Sequence, residues 1–304
     1  MHLIVETLFT VILVLYYLIE SIVWTFLPNS WRYKDVQNQT VLITGAGSGL
    51  GRLLAFRFAK LGCATVLWDI DSKGNAKTAA EIKQRYNSEC LTYTVDLSSK
   101  ESIYETANKV KEDIGEINIL INNAGIVTGK KFMECQDALI EKTFQVNTSA
   151  HFWTTKAFLP RMLKLNHGHI VNIASAAGLT GVTGLADYCA SKFAVVGFTE
   201  SLSMELTSLE KTGVKTTVVC PYYIDTGMFK GVKTKFPEIL PIVTPEHAVD
   251  RMMDGILSNK SEVWIPRSLY VLLSVKGLLP TKCQALLSQF FGISNCMDEF
   301  VGRE

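Results

Sequence analysis

The 304-residue chain lacks the sequence patterns that mark several common functional classes. Its five histidines include no H-E-x-x-H pair, so a zinc hydrolase site has no support. A Gly-x-Ser-x-Gly segment is also missing, which removes the usual evidence for a serine hydrolase. Basic runs with interleaved aromatic residues are absent and the net charge is only +1, which gives no general attraction to nucleic acid. We therefore expect neither a metal nor a nucleic-acid partner.

The cysteine pattern argues against a disulfide framework. The chain has seven cysteines, an odd number, and none are spaced as C-x-x-C. Reduced and mostly buried thiols are expected, which suits a catalytic domain that faces the cytosol.

What the chain does contain is a glycine-rich turn between a strand and a helix. Residues 40–44 form a short apolar run, and Gly45, Gly49 and Gly51 follow it before a helical pattern that ends at Leu61. The unpaired N–H groups of a helix N-terminus attract phosphate, and glycines let a pyrophosphate approach the backbone closely. The spacing G-x-x-x-G-x-G differs from the G-x-G-x-x-G of the ordinary Rossmann unit. It predicts a dinucleotide site, with a glycine-requiring surface turn as the alternative.

An acidic residue lies about twenty residues past these glycines. Asp69 ends the second strand-like run, where a carboxylate can accept hydrogen bonds from both adenosine-ribose hydroxyls and would repel a 2′-phosphate. Its neighbours Trp68 and Ile70 are not basic, and Ser48 rather than a cation occupies the glycine loop. The sequence therefore predicts NAD rather than NADP, whereas a turn at the strand end is the alternative for Asp69.

A tyrosine and a lysine lie four residues apart in the middle of the chain. On a helix, this spacing places Tyr188 and Lys192 on one face. A tyrosine is a poor acid or base at neutral pH, because its ordinary pKa is about 10. A neighbouring positive charge favours the phenolate and brings that proton into working range.

Six elements in one order resemble the short-chain dehydrogenase/reductase family over about residues 38–266. They are the glycine loop, Asp96-Leu97, Asn122-Asn123-Ala124-Gly125, Asn147, Ser175 and the Tyr188/Lys192 pair. Within the family, residues 42–52, 127–132 and 186–193 resemble the membrane-associated epidermal retinol dehydrogenase branch, whose relatives act on 17-hydroxysteroids and occur on lipid droplets.

The resemblance implies a role for each matching residue. Ser175 would bind the substrate oxygen, and Tyr188 would take the hydroxyl proton during oxidation. Lys192 would bind the nicotinamide ribose and lower the pKa of the phenol, while Asn147 would hold a water that exchanges protons with Lys192. The expected cofactor-binding residues are Gly45, Ser48, Gly49, Leu50, Gly51, Asp69, Asp96, Leu97, Asn123, Ala124, Gly125, Tyr188, Lys192, Ile224 and Thr226.

One departure from the family pattern follows the sixth strand. Tyr222 stands where the family usually has glycine after Pro221, which makes the expected cofactor contacts of Ile224 and Thr226 less secure. The irregular stretch that follows, about residues 222–246, is rich in apolar residues and is predicted to be a substrate lid. Tyr222 and Met228, together with Ser175 and Tyr188, are the expected substrate contacts. A loop that packs only on its own core is the alternative.

The alternation of strand-like and helical runs predicts an α/β fold. We expect one doubly wound, Rossmann-type domain over 36–266, with helices on both faces of a parallel seven-stranded sheet. The predicted strands are 40–44, 64–69, 91–95, 117–121, 169–174, 214–219 and 263–265, and the predicted helices are 49–61, 73–87, 100–114, 137–147, 151–166, 187–211 and 246–257.

The N-terminal 30 residues predict a membrane anchor. Residues 7–19 carry no charge, and the apolar stretch reaches Leu27 only if Glu20 is tolerated within it. The helix could span the membrane, lie in one leaflet or pair along a polar stripe. No basic segment precedes it, which disfavours a cleaved signal, and Arg32 and Lys34 follow it. We expect an endoplasmic reticulum membrane protein with a cytosolic catalytic domain, with lipid droplets as a second location.

The C-terminal tail, residues 267–304, is apolar with scattered basic residues and a break at Pro280. Two interpretations remain equal: a segment resting on the membrane, or a helix covering the substrate cleft or a subunit interface. Retinol is the expected substrate, with a 17-hydroxysteroid or another lipid alcohol as the alternative. A non-catalytic lipid-surface scaffold is the competing function. Family resemblance further implies a homo-oligomer, either a dimer or a tetramer.

Overall fold

The computed structural model of the protein describes residues 2–302. Seven strands and ten α-helices alternate along this range. In chain order they are α1 (His2–Phe26), β1 (Thr40–Thr44), α2 (Gly49–Lys60), β2 (Ala64–Asp69), α3 (Ser72–Tyr86), β3 (Cys90–Thr94), α4 (Lys100–Asp113), β4 (Ile119–Asn122), α5 (Asp137–Phe144), α6 (Ala150–Leu165), β5 (Gly168–Ile173), α7 (Ala186–Ser208), β6 (Val214–Pro221), α8 (Pro245–Leu257), β7 (Glu262–Ile265), α9 (Ser268–Leu278) and α10 (Thr281–Phe290).

The strands form one parallel sheet in the order β3-β2-β1-β4-β5-β6-β7. The chain winds outward from β1 in one direction and then restarts at β4 in the other. In such a sheet, a crevice opens at the carboxyl ends of the strands where the winding direction reverses. The predicted doubly wound fold is confirmed, and the topology places the crevice between β1 and β4.

Alternate residues of each central strand face opposite layers of helices. In β1, Val41 and Ile43 belong to a core shared with α2 and α8, whereas Leu42 belongs to a core shared with α4 and α6. Because both faces of the sheet are covered, its central strands are apolar almost throughout. The side chains that can bind a ligand or take part in a reaction therefore lie at the ends of the strands.

Side-chain caps fix where several helices begin. The carboxylate of Asp71 accepts a hydrogen bond from the Lys73 amide at the start of α3, and the Ser99 hydroxyl accepts one from Ser102 at the start of α4. Such caps satisfy backbone donors that would otherwise lack partners. They hold the strand-to-helix turns that border the crevice.

The helix predicted over residues 137–147 is interrupted. Instead of running to Asn147, α5 ends at Phe144 and the backbone continues as a π-helix over Gln145–Ser149 before α6 begins. The side chain of Asn147 is fully buried and bonds to both main-chain groups of Ile126, at 2.8 and 2.9 Å. The widened turn lets this amide face the loop after β4. At the other boundaries, α7 ends at Ser208 rather than 211, and β6 continues to Pro221.

Helix α1 stands apart from the sheet domain. Within residues 2–302 it is the one helix that is long enough and apolar enough to cross a membrane, over His2–Trp24, and none of this stretch is buried. Where the chain leaves α1, the Arg32 guanidinium lies 4.6 Å from the centre of the Trp24 ring. The Lys34 amide then bonds to the carbonyl of Leu257 at the end of α8. The exit from the apolar helix is thus attached to the domain.

Candidate active site

The glycine loop is shaped by close backbone contacts. Gly45 has φ +67°, a conformation that favours glycine, and its amide bonds to the Trp68 carbonyl at 2.7 Å. A Cβ on Gly51 would lie 2.2 Å from the Gly45 carbonyl oxygen, so no larger residue fits there. The Asn123 amide donates to the Thr44 carbonyl at 2.9 Å and braces the loop from β4. The loop thus presents its backbone to the crevice at the start of α2.

Asp69 has a fixed carboxylate at the end of β2. Its Oδ2 accepts a hydrogen bond from the Gly47 amide at 2.8 Å, and its Oδ1 accepts one from the Asp71 amide at 2.9 Å. A carboxylate oxygen can accept more than one hydrogen bond, so acceptor capacity remains toward the crevice. This arrangement suits recognition of a diol such as a ribose.

A cavity of about 400 Å³ fills the crevice, and we call it the polar cavity because its lining is more polar than that of the second cavity described below. Thirteen of the fifteen expected cofactor residues line it, and the other two, Gly49 and Gly51, open α2 beside it. Its size, its glycine-edged helix terminus and the Asp69 carboxylate fit a nicotinamide dinucleotide. The lining members of the predicted set are Gly45, Ser48, Leu50, Asp69, Asp96, Leu97, Asn123, Ala124, Gly125, Tyr188, Lys192, Ile224 and Thr226.

Asp96 is held at the rim of this cavity by its own turn. Its Oδ1 accepts hydrogen bonds from the Ser98 hydroxyl at 2.6 Å and the Ser98 amide at 2.9 Å. These bonds lower the pKa of the Asp96 carboxyl, which remains a charged acceptor at neutral pH.

Tyr188 and Lys192 lie on the buried face of α7. The Lys192 ammonium donates to the carbonyl of Ile173 at 2.9 Å and lies 5.7 Å from the centre of the Tyr188 ring. Burial lowers the pKa of Lys192 to about 8. Burial also raises the pKa of Tyr188, and the hydrogen bond with the Ser175 side chain opposes that rise. The positive charge was expected to lower the pKa of the phenol, and desolvation is the largest effect on the pKa of both groups.

Ser175 lies two residues after the end of β5 and is turned toward the phenol of Tyr188. Its hydroxyl oxygen accepts a hydrogen bond from the Ala177 amide at 3.1 Å, and the hydroxyl lies 3.4 Å from the Pro221 carbonyl. These contacts hold the side chain between β5 and β6, where it lines the polar cavity. A hydroxyl and a phenol thus converge at one end of that cavity.

Asn147 is placed behind the pair rather than in the cavity wall. Besides its two bonds to Ile126, its amide nitrogen lies 3.2 Å from the Ser191 hydroxyl. Its side chain therefore ties the loop after β4 to α7, next to Lys192. Its side-chain oxygen accepts one of these bonds and can accept a second, so the water that Asn147 was expected to hold stays a prediction.

A second cavity, of about 580 Å³, adjoins the first and is lined mainly by apolar side chains. Four residues line both cavities: Ser175, Tyr188, Tyr222 and Phe229. The Tyr188 and Phe229 rings meet edge to face, with their centres 5.8 Å apart. A molecule in the apolar cavity can therefore reach the phenol and the serine hydroxyl.

The lid residues divide between these cavities. Tyr222, an expected substrate contact, lines both, whereas Met228 lines the polar cavity with the cofactor residues and not the apolar one. Ile224 and Thr226 also line the polar cavity, despite the tyrosine that replaces glycine at 222.

The far wall of the apolar cavity comes from the C-terminal part of the chain, which carries no motif. Inward-facing residues of α9 and α10 form it, and the Lys276 ammonium anchors α9 by donating to the Leu179 carbonyl at 2.8 Å. Apolar spacing in the tail was the only sequence signal for these residues. The wall residues that motif analysis missed include Leu269, Leu272, Leu273, Leu287, Phe291 and Cys296.

The last described residues cross the lid and hold it down. The Tyr223 hydroxyl lies 3.3 Å from the Cys296 sulfur, and the Val301 amide donates to the Lys230 carbonyl at 2.9 Å. The Phe300 ring occupies the space where a side chain on Gly129 would lie. Residues 296–301 thus connect the lid to the loop after β4.

Comparisons with known proteins agree with this geometry. A family model described as short chain dehydrogenase matches residues 39–236. Human epidermal retinol dehydrogenase 2 is 49% identical over 290 residues, covering 95% of this chain and 93% of that protein. Human retinol dehydrogenase 10 is 42% identical over 315 residues, covering 93% of this chain and 92% of that protein.

Solved structures share the fold and carry either form of the cofactor. A short-chain dehydrogenase/reductase from Burkholderia phymatum in complex with NAD has a TM-score of 0.73 and 25% identity, covering 81% of this chain and 95% of that one. A short-chain dehydrogenase from Sphingobium yanoikuyae in complex with NADPH has a TM-score of 0.70 and 27% identity, covering 82% of this chain and 95% of that one. The chain belongs to the short-chain dehydrogenase/reductase family, in its retinol dehydrogenase branch, and is an oxidoreductase of CH–OH groups that uses a nicotinamide cofactor.

Proposed function

We propose that this protein oxidises retinol to retinaldehyde with NAD. The observation that carries the proposal is the junction of the two cavities at Ser175 and Tyr188. A long apolar alcohol in the larger cavity would place its hydroxyl between these side chains, next to the space that fits the nicotinamide. The relatives named retinol dehydrogenases support this choice of substrate.

Proton management falls to residues of this chain. The Ser175 hydroxyl orients the alcohol oxygen, and the Tyr188 phenolate takes its proton. The Lys192 ammonium, held by the Ile173 carbonyl, provides the positive charge that favours the phenolate in a site where burial opposes it. When bound, the nicotinamide supplies the acceptor for the hydride that leaves the same carbon.

The choice of NAD rests on Asp69. With the carboxylate oriented by the Gly47 and Asp71 amides, ribose hydroxyls can be bound, while a 2′-phosphate would meet an anion. The cations that line the polar cavity lie elsewhere, because Lys192 is at the Tyr188 end and Lys142 acts on Asp96.

The apolar helices support a location at the endoplasmic reticulum membrane, with lipid droplets as a second site. Helix α1 would anchor the chain, and Arg32 just past it favours a cytosolic domain. On α9 and α10, Leu278 and Leu286 are exposed while Leu272 and Leu287 line the apolar cavity. These two helices would rest on the lipid and admit the substrate between them.

The test uses microsomes that contain the full-length chain, supplied with NAD or NADP and with all-trans-retinol or estradiol. Retinaldehyde should form with NAD, and Tyr188→Phe should reduce turnover by about 10³-fold while NAD binding is retained. Phenylalanine fills the same space and removes only the hydroxyl. Oxidation of estradiol but not of retinol would mean that the substrate is a 17-hydroxysteroid. Tight binding of NAD with no turnover of either alcohol would favour the scaffold function.

A further inference from the structure

A buried histidine behind the catalytic lysine has no part in the chemistry described so far. His151 lies in the first turn of α6, and only 2% of its surface is exposed. One ring nitrogen, Nδ1, lies 3.2 Å from the Asn172 side-chain oxygen, whereas the other, Nε2, is buried and has no hydrogen-bond partner among residues 2–302. A buried polar atom without a partner is costly, so this nitrogen needs an explanation.

Hydrogen bonds around Asn172 determine which ring nitrogen carries the proton. The Thr199 hydroxyl donates to the Val195 carbonyl at 2.7 Å, so its oxygen accepts from the Asn172 amide nitrogen at 2.9 Å. The amide oxygen of Asn172 must then face His151. Because that oxygen can only accept, Nδ1 carries the hydrogen and Nε2 has a free lone pair.

The Asn172 side chain is further fixed from the neighbouring strand. The Asn122 amide donates to the same Asn172 oxygen at 2.9 Å, which confirms its orientation as an acceptor. The imidazole is thus held in one tautomer by buried groups of β4, β5 and α7. A hydrogen-bonded network of this kind costs too much to rearrange for the ring to change its tautomer readily.

Lys192 is the neighbour that gives the free lone pair a use. Burial, with a smaller contribution from the Lys192 charge, lowers the pKa of His151 to about 3. The ring therefore stays neutral and keeps its acceptor at every working pH. The Lys192 ammonium itself bonds to Ile173, the residue that follows Asn172 in β5, so the two side chains are held by adjacent residues.

We infer that His151 is a positioning residue for proton release: its Nε2 accepts a hydrogen bond from a buried water and turns that water's oxygen toward the Lys192 ammonium. The inference rests on the proposed dehydrogenase function. During oxidation the proton that Tyr188 takes from the alcohol must leave the enclosed pocket. The oriented water accepts a proton from Lys192 Nζ and passes one on toward solvent, and the Tyr188 proton then restores the Lys192 ammonium. The imidazole keeps its own proton on Nδ1 throughout, so no charge is stored on the ring.

The test compares His151→Leu, which removes both hydrogen-bonding groups, with His151→Gln, which can offer a donor to Asn172 and an acceptor to water. Thr155→Val is the matched control, because Thr155 lies one turn further along α6 and also buries a hydroxyl that no group in the described part of the chain bonds to. All variants are measured with retinol and NAD for kcat, pH profile, solvent deuterium isotope effect and melting temperature.

The leucine variant should lose about 10-fold in kcat, less than the ~10²-fold or more expected for a group that transfers the proton itself. Its solvent isotope effect should rise, and the rising limb of its pH profile should move to higher pH, because Lys192 then releases its proton only to a stronger base. The glutamine variant should recover most of the wild-type kcat, and the rising limb of its pH profile should return to the wild-type pH. The Thr155→Val control should change neither kcat nor the pH profile.

A purely structural role would lower the melting temperature of the leucine variant but leave the pH profile and the isotope effect unchanged, and that result would overturn the inference. So would ¹⁵N spectra of the wild-type protein that place the His151 proton on Nε2. Wild-type turnover tests the dehydrogenase function separately, and the ¹⁵N measurement needs no turnover.

Discussion

The two cavities that meet at Tyr188 are built from different parts of the chain. The polar cavity is bordered by the carboxyl ends of strands: Asp69 ends β2, and the Gly45 loop and Asn123 follow β1 and β4. The apolar cavity takes its far wall from α9, α10 and the segment around Cys296, which lie outside the sheet.

The difference between them follows from the kind of interaction each can make. Hydrogen bonds to a dinucleotide need particular groups at particular backbone positions, as the contacts of Gly45 and Asp69 illustrate. An apolar wall needs only volume and shape, which leucine, phenylalanine or valine can supply in many combinations. A shared cofactor therefore leaves a motif in the sequence, whereas a substrate preference leaves almost none.

The largest effect that would sharpen this comparison is expected from Asp69→Ser. Losing two charge-assisted hydrogen bonds to a ribose should cost about 2 kcal/mol, or roughly a 30-fold rise in the KM for NAD. The KM for NADP should fall, because the repulsion of a 2′-phosphate is removed. Steady-state rates with each cofactor at saturating retinol provide the measurement.

Asp71→Ser is the control for that substitution. Asp71 lines the same cavity, and a serine can still cap α3. Its cofactor preference should match that of the wild type. Equal shifts in the two variants would mean that general negative charge, rather than the Asp69 carboxylate, selects the cofactor.

A change in the apolar wall should affect the substrate and spare the cofactor. Leu272→Asn places an amide in the cavity, and the KM for retinol should rise about 10-fold for a loss of ~1.5 kcal/mol of apolar contact. The KM for NAD should not change. Leu278→Asn, on the exposed side of α9, is the matched control and should leave both constants unchanged in detergent. A shift in the NAD constant of the Leu272 variant would break the separation of the two cavities.

The smallest expected effect is a pH dependence of folding stability that comes from Lys192, which lies near the boundary between the two cavities. With its pKa lowered to about 8 by burial, Lys192 binds a proton less readily in the folded chain than in the unfolded one. The cost of burying its charge is therefore present below pH 8 and is relieved as the pH rises toward the ordinary lysine value. Between pH 7 and 9, the free energy of unfolding of the wild type should rise by about 1 kcal/mol relative to that of the Lys192→Met variant.

Melting temperatures of the two proteins, without added cofactor, measure this difference. The gap between wild type and variant should shift by a few degrees in favour of the wild type across that pH range. A gap that stays constant would mean that Lys192 keeps its charge in the folded protein.

How much the sequence could predict depends on the same contrast. Strands β1 and β2 lie within the predicted residues, because buried parallel strands are continuous apolar runs bounded by glycine or acidic turns. The expected cofactor residues gather in one cavity for the same reason, since they follow strand ends that share one edge of the sheet. Their individual roles remain predictions.

The structural features that the sequence did not predict depend on long-range contacts, which no local pattern encodes. The π-helix at Gln145–Ser149 accompanies the bonds of Asn147 to Ile126, which lies 21 positions earlier. The position of Cys296 against Tyr223 depends on how the whole tail folds back over the lid. The tail was expected either to rest on a membrane or to cover the cleft. The structure places α9 and α10 over the cleft while leaving Leu278 and Leu286 exposed.

The most direct test of the central claim follows the hydride across the junction of the two cavities. Retinol deuterated at its alcohol carbon is incubated with NAD and the full-length protein in microsomes, and the reduced cofactor is analysed by mass spectrometry. The claim predicts deuterium in NADH together with retinaldehyde, and neither product above background in the Tyr188→Phe variant. Retinaldehyde formed without deuterium in the cofactor, or bound NAD that never acquires the label, would contradict it.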